Sequence, residues 1–414
     1  MQIIPLQIEA LAPLAFPERK PGTQFNSSLP YIPGAAIYGA LGAWFNAQGI
    51  YDEALFRVLR CHNAYPARVV DDMWDSWVRP LPTTAIQPKG SDEENVKPHD
   101  SLYERICWEH QEPTALIYAP TDDDGRPWEA ASAKFYALHE SVLYHASQVQ
   151  QRVLTRVAIN RQRGTAEEGR LYSPLAISEV TLQKLPRQKL LVQESTSKES
   201  TYHKEPTRFL GSLIVPDAAT ETITAALAGI THLGARQTSG LGAVAIVTPD
   251  LSTDSEDAAA IQGRSTLMTQ RFQAQAALYA ALGGTSWEPT ATTIFTINLL
   301  SDTILLDHGW LPTQAFSPQL LKEATGIEAT LLRSFTTTKT VGGWQVLWQR
   351  PKPTAVALAM GGMFVFQAKQ PLDEKDCQRL TTLQHDGIGE RRAEGFGQIR
   401  ICDEFHVLER GTNP

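Results

Sequence analysis

Only four cysteines, Cys61, Cys107, Cys377 and Cys402, are spread over 414 residues, and no two form a Cys-x-x-Cys pair. This spacing excludes a disulfide framework and is how buried, reduced thiols of an intracellular chain are distributed. Residues 1–15 have no basic start, and Pro5, Glu9 and Pro13 interrupt their apolar stretch. Neither a signal peptide nor a membrane span is expected there, and the chain is expected to be cytoplasmic. A broad positive field is missing too, since 37 Lys and Arg stand against 45 Asp and Glu for a net charge of -8. That balance excludes indiscriminate nucleic-acid binding but permits a focused basic groove. Ten histidines include no paired constellation suited to acid-base cleavage. Cys107 and His110, with Cys61, His62 and His99 elsewhere, could assemble a zinc site in the insertion, but their spacing is not that of a finger and scattered core thiols are the favoured reading. No metal and no cofactor is expected.

The chain does have a globular composition, 42% apolar and 20% charged, and its 414 residues point to two domains at roughly 150 residues each. Ile4, Leu6, Ile8 and Ala10 alternate with Pro5, Gln7 and Glu9, the period of a half-buried strand, which Pro5 assigns to a sheet edge. Pro33-Gly34 opens a run in which Ile37, Leu41, Trp44 and Phe45 share one helical face. Gly39 and Gly42 inside it each cost about 1 kcal/mol against alanine, which implies a close neighbour at the backbone. Residues 82–128, rich in Pro, Asp, Glu and Gly, and the polar tract 193–206 read as insertions or mobile loops. The polar segment 249–265 is the best boundary, with an amphipathic helix expected from about 267 to 282. The expected division is 1–250, with an insertion around 82–150, and 265–414.

An internal repeat crosses that boundary. Residues 234–244 (GARQTSGLGAV) align without gaps on 389–399 (GERRAEGFGQI). Each copy follows an apolar strand (213–215; 363–366) and a helix (217–233; 372–385), and precedes a second strand (243–247; 398–402). In the first helix Asp217 is the expected N-cap, and Ile223, Leu227, Ile230 and Leu233 form one face. Phosphate loops of nucleotide folds run strand, glycine, helix, the reverse of the order here, so a Rossmann or Walker site is excluded. One such loop alone would read as a helix C-cap followed by a tight bend. Two copies, each with an arginine two residues after the first glycine, favour a site of backbone approach, where exposed amides and Arg236, Arg391 and Arg392 meet a sugar-phosphate chain. The strand-helix-loop-strand unit fits the β-α-β-β-α-β plan, a common RNA-binding architecture.

These residues resemble a known family. Leu29-Pro30-Tyr31-Ile32-Pro33-Gly34 with the helix carrying Tyr38 and Gly39 resembles the N-terminal motif of RAMP-superfamily CRISPR proteins, and Gly389-Glu390-Arg391-Arg392-Ala393-Glu394-Gly395-Phe396-Gly397 is similar to their C-terminal glycine-rich loop. Residues 155–172 are similar to the family's central segment, and Gly342-Gly343-Trp344 with Pro351-Lys352-Pro353 resembles a second-domain motif. The nearest likeness is to the large two-domain RAMP subunit of type III-D effector complexes. The resemblance implies an α+β fold of two ferredoxin-like, RRM-like domains with loop insertions. It implies binding of guide CRISPR RNA at its 5' repeat-derived tag, target RNA reached through the guide, and assembly with backbone RAMP proteins and a large signalling subunit.

It does not imply catalysis. In target-cleaving backbone relatives an aspartate sits a few residues before the Leu-Pro-Tyr-Ile-Pro-Gly turn, and Gln24 occupies that position here; an amide cannot act as the acid, base or metal-orienting group. The competing reading is an endoribonuclease that cuts target or processes guide RNA, with His232 and His385 flanking the glycine loops; a scaffold that touches only proteins is weaker still. The expected RNA contacts are the polar loop of Arg19, Lys20, Gln24, Ser27 and Ser28, then Tyr38, which replaces a basic residue of many relatives. The basic segment contributes Arg156, Asn160, Arg161 and Arg163, although a charge run by itself is ordinarily a solvated face. The glycine loops contribute Arg236, Gly240, Gly242, Gly389, Arg391, Arg392, Gly395 and Gly397, and the second half adds Lys339 and Trp344. Trp348 reads as core.

Overall fold

The computed structural model describes residues 1–17, 25–70, 72–91, 99–110, 118–132, 134–139, 142–145, 148–184, 202–249, 258–282, 292–345 and 350–408. The first unit runs β1 (Gln2–Ala10), α1 (Gly34–Ala47), α2 (Glu53–Val58), β2 (Arg60–Cys61), β3 (Tyr65–Ala67), β4 (Arg208–Val215), α3 (Thr220–Gly229) and β5 (Val244–Val247). Its antiparallel sheet has the order β5-β1-β4, with β2 and β3 both on the far side of β4. After α4 (Ala258–Ala281), the second unit runs β6 (Ile294–Leu299), α5 (Pro318–Thr325), β7 (Ala329–Phe335), β8 (Met363–Ala368), α6 (Glu374–Asp386) and β9 (Ile399–Ile401). Its sheet order, β9-β6-β8-β7, is the same arrangement. In both units the first strand lies between the last strand and the one before it.

Alternation buries Ile4, Leu6, Ile8 and Ala10 as expected. The strand is central rather than an edge: β4 covers one side of β1 and β5 the other. Pro5 is tolerated because β5 pairs only with Gln7 to Ala10, so the proline stands beyond its end. Ile37, Leu41 and Phe45 of α1 and Ile223, Leu227, Ile230 and Leu233 around α3 complete this core. Asp217 does not cap α3; its carboxylate accepts from the amino group of Met1 at 3.1 Å. The close neighbour expected at Gly39 is absent among the described residues, and Gly42 meets Phe56 only at ordinary contact distance, 3.7 Å. The tight approach falls instead at Gly34.

α4 begins nine residues before its expected start, at 258 rather than 267. Its buried face is Ile261, Ser265, Met268, Phe272 and Ala276. Ser265 is satisfied within the helix by Gln262 O at 3.0 Å, whereas Arg264 donates to the carbonyls of Cys402 and Ile401 at 2.7 and 3.0 Å, tertiary partners that local pattern does not reveal. The expectation of loops in the first insertion also needs correction. The helix Leu102–Glu109 buries Leu102, Tyr103, Ile106 and Cys107 in the core of the second unit, with the Tyr103 ring 4.6 Å from that of Phe272. In the second tract, Tyr202–Pro206 is a strand paired with Val180–Lys184; residues 193–200 lie outside the described residues.

A buried polar joint ties the insertion to the second unit. Arg79, in the strand Trp77–Pro80, bonds Asp403 at 3.2 Å and also Glu404, which in turn holds Arg400. His406, fully buried, bonds Asp100 at 2.7 Å through Nδ1 and Asn298 at 2.8 Å through Nε2. With the Asn298 amide nitrogen at Nε2, Nδ1 is the ring nitrogen that faces the Asp100 carboxylate. All four cysteines are buried, and none is paired.

Candidate nucleic-acid interface

The two glycine loops repeat in backbone conformation as well as in sequence. Arg236 and Arg391 are left-handed at φ 64° and 56°, a state that costs an L-residue roughly 1–2 kcal/mol, and Gly240 and Gly395 follow at φ 81° and 90°. A short 3-10 turn lies between them in each copy, Gln237–Ser239 and Arg392–Glu394. Hydrogen bonds to the segment after the first strand correspond one for one. Ala235 N and Gly242 N reach Ala15 O and Pro13 O at 2.9 Å each; Glu390 N and Gly397 N reach Ile304 O and Asp302 O at 2.9 and 3.0 Å. The repeat therefore includes β1 and β6 and the chain that leaves them.

Most of the glycines are required by the fold itself. A side chain at Gly242 would come within 2.6 Å of Leu233 O, and one at Gly389 or Gly397 would overlap the carbonyl of Ile304 or Ile388. Gly395 lies against Gly34, with Cys61 O at 2.7 Å from the position of a Cβ, and Asn63 Oδ1 accepts from Gly34 N at 2.8 Å. The Pro33-Gly34 turn and the second glycine loop are thus one joint between the units. Backbone approach, inferred from sequence as approach to a ligand, is here approach to the chain's own backbone; only Gly240 faces open space.

Three of the segments selected from sequence converge at the first loop. The hairpin of strands Arg156–Asn160 and Thr165–Ile177 is anchored by Arg156, whose guanidinium donates to Ser239 O at 3.0 Å. Its tip is built by Asn160, whose Oδ1 accepts from Gln162 N and Arg163 N at 3.0 and 3.1 Å while its carbonyl accepts from Gly164 N at 2.8 Å. Arg161 and Arg163 are exposed on that turn, and Val157 and Ile159 are exposed on the strand leading to it. The polar loop joins through Phe25–Asn26, paired in parallel with Ser173 and Pro174, and through Gln151 Nε2, which donates to Ser28 O at 2.9 Å. Ser27 is exposed, whereas the buried Ser28 hydroxyl accepts from Phe16 N at 2.9 Å. Ser28 closes the loop from inside, where both chain ends of the loop meet. Arg19, Lys20 and Gln24 lie outside the described residues, as does Trp348.

Around the second loop the cations are engaged. Arg391 lies over Phe396 with 4.5 Å to the ring centroid and bonds Glu394 at 2.6 Å, and Lys352 reaches the same carboxylate oxygen at 2.8 Å. Burial raises the Glu394 pKa, but Arg391 and Lys352 outweigh it and the carboxyl sits below its ordinary range. Lys339 pairs with Asp302 at 2.7 Å, and Arg392 donates to Asp386 O at 3.3 Å. Glu394 and Asp302, absent from the sequence-based selection, thus neutralise residues that were in it. Tyr38 is half-buried, edge-on to Phe56, and burial together with Tyr51 and Glu394 pushes its phenol up to about 12, so it remains a neutral donor. Trp344 is 39% exposed. Trp310, 73% exposed, was not selected from sequence although a His-Gly turn signal precedes it.

Cys61 and Cys107 belong to different cores, and among the described residues no group of three metal-ligating side chains is found. His232 is exposed and bonds Thr231, while burial lowers the pKa of His385. Among the described residues no helix is long and apolar enough to cross a membrane.

A family model described as "RAMP superfamily" matches residues 8–245, and one described as "CRISPR-associated protein (Cas_Cmr3)" matches residues 263–403. No curated protein matches the sequence. Among solved structures, a chain of the type III-B Cmr-beta complex bound to cognate target RNA and AMPPnP matches at 10% identity and TM-score 0.42, over 87% of this chain and 86% of that one. A second chain, from the same kind of complex with cognate target RNA, matches at 13% identity and TM-score 0.39 over 88% and 86%. A chain of a type IV-B CRISPR complex matches at 12% identity and TM-score 0.26, over 61% and 92%.

Proposed function

Because the chain belongs to the RAMP superfamily, we propose that it is a non-catalytic, guide-RNA-binding subunit of a type III CRISPR effector, with two ferredoxin-like domains at 1–250 and 265–414. The observation that carries this reading is the arginine hairpin, bonded to the first glycine loop through Arg156 and paired with Phe25–Asn26 at the end of the polar loop, with Arg161 and Arg163 exposed on its turn. A backbone of phosphates suits such a face, because exposed guanidiniums and backbone amides position a strand without reading its bases. The match of residues 263–403 to a CRISPR-associated family supports assembly with other effector subunits. The type III-D assignment, the 5' tag as the bound segment and a cytoplasmic location complete the proposal. Gln24, at the place of the aspartate in target-cleaving relatives, supports the absence of catalysis.

The test is purification at native expression level, followed by sequencing of bound RNA. Recovery of RNAs that share a repeat-derived 5' end is the expected result; RNA with no common 5' end overturns tag binding.

A further inference from the structure

Among the described residues of the second unit, Trp310 is the most exposed aromatic side chain. Leu306–Asp307 and Leu311–Pro312 form a two-stranded hairpin, and between them His308 and Gly309 have φ of 50° and 76°. Trp310 N bonds Asp307 O at 3.2 Å, closing a two-residue turn whose central positions are both left-handed. Histidine in that conformation is strained, and the hairpin offers little in return, since Trp310 is 73% and Leu311 46% exposed. A bulky aromatic held outward on a tight turn is a display of its ring.

We propose that Trp310 is a stacking platform for an unpaired base of single-stranded RNA. The internal repeat argues for this ligand. Leu305 packs on the second glycine loop at Gly389 as Phe16 packs on the first at Gly234, and the chain then leaves through the pair Leu306 and Pro312 where the first unit leaves through the bridge of Pro17 and Ser28. The Trp310 hairpin therefore stands at the position along the chain, after β6 and its Leu305–Leu306 exit, that corresponds to the segment between the paired Pro17 and Ser28 after β1. Its chemistry differs in a complementary way. Arg391, Lys352 and Lys339 are held by Glu394 and Asp302, and Arg392 is left as the loop's one cation bonded only to a carbonyl among the described contacts, so stacking on bases adds a grip that phosphate pairing here supplies less of. A protein-docking hot spot would sit within a wider apolar surround, whereas within the hairpin only Leu311 accompanies the ring.

The inference rests on the RNA-binding reading above, and the experiment separates the two. Full-length wild type, Trp310→Ala and Trp310→Phe are titrated with a labelled single-stranded RNA of mixed sequence across a salt series, and each is checked by thermal melting and for copurifying subunits. Loss of one stacked base is expected to weaken binding by Trp310→Ala on the order of ten- to hundredfold, with an unchanged salt slope and an unchanged melting temperature. Trp310→Phe is expected to recover most of the loss. Equal affinity of Trp310→Ala and a wild type that binds overturns the stacking platform alone, as does loss of a copurifying subunit at unchanged RNA affinity. A wild type that binds no RNA overturns the RNA-binding reading itself.

Discussion

At the scale of single residues, glycine positions separate what the fold demands from what a ligand would use. Gly240 and Gly395 hold equivalent places and nearly equal φ, 81° and 90°, but only Gly395 is wedged against Cys61 O and Gly34. Alanine at either pays the left-handed penalty, and at Gly395 the added methyl must also displace backbone. Gly395→Ala is therefore expected to be less stable than Gly240→Ala by roughly 1–3 kcal/mol, read from denaturant unfolding of both variants. Equal losses would mean that the joint between the units yields easily.

At the scale of elements, the hairpin carried by Arg156–Asn160 and Thr165–Ile177 divides its arginines between anchoring and display. Arg156 is bonded to Ser239 O, so its loss loosens the hairpin, whereas Arg161 and Arg163 stand exposed on the turn. If the exposed pair contacts phosphates, each change to alanine should lower the log-log salt slope of single-stranded RNA binding by about 0.7. The loss should be nearly independent of base sequence. A folded double variant, Arg161→Ala with Arg163→Ala, whose slope equals that of wild type would remove the hairpin from the RNA face. This slope change distinguishes the hairpin from Trp310, whose contribution is expected to be independent of salt.

At the scale of the whole molecule, Glu404 joins Arg79, in the strand Trp77–Pro80 that leads into the insertion, to Arg400 in the second unit. Burial opposes its charge, but Arg79 and Arg400 prevail and hold its pKa well below 4.5 in the folded chain. The unfolded chain therefore binds this proton first as acid is added. The stabilisation is fully present above pH of about 4.5 and is lost as pH falls through the depressed folded value. Glu404→Gln is expected to flatten that acid dependence and to cost roughly 3–5 kcal/mol near neutral pH, because Arg79 and Arg400 stay buried with a partner charge removed. Unfolding free energy followed from pH 7 downward, in wild type and variant, checks both statements; parallel curves would place the acid sensitivity elsewhere.

Sequence alone determined the features that local periodicity and repetition encode: the alternation of β1, the buried faces of α1 and α3, and the two matched glycine loops with their arginines. It also carried the family resemblance that the match over residues 8–245 bears out. Tertiary structure decided the rest, because the deciding forces act between residues far apart in the chain. Pro5 argued for an edge, but its cost depends on how far β5 extends. The helix Leu102–Glu109 has an apolar face of barely two turns, and its burial follows from the complementary surface of α4, more than 150 residues on. What a loop glycine's bare face meets is decided by what stands across from it, Cys61 and Gly34 for Gly395 and open space for Gly240. The charges of Arg391 and of Glu394 three residues on were legible together, but the sharing of that carboxylate with Lys352 was not, because Lys352 reaches it only when the loops are folded together.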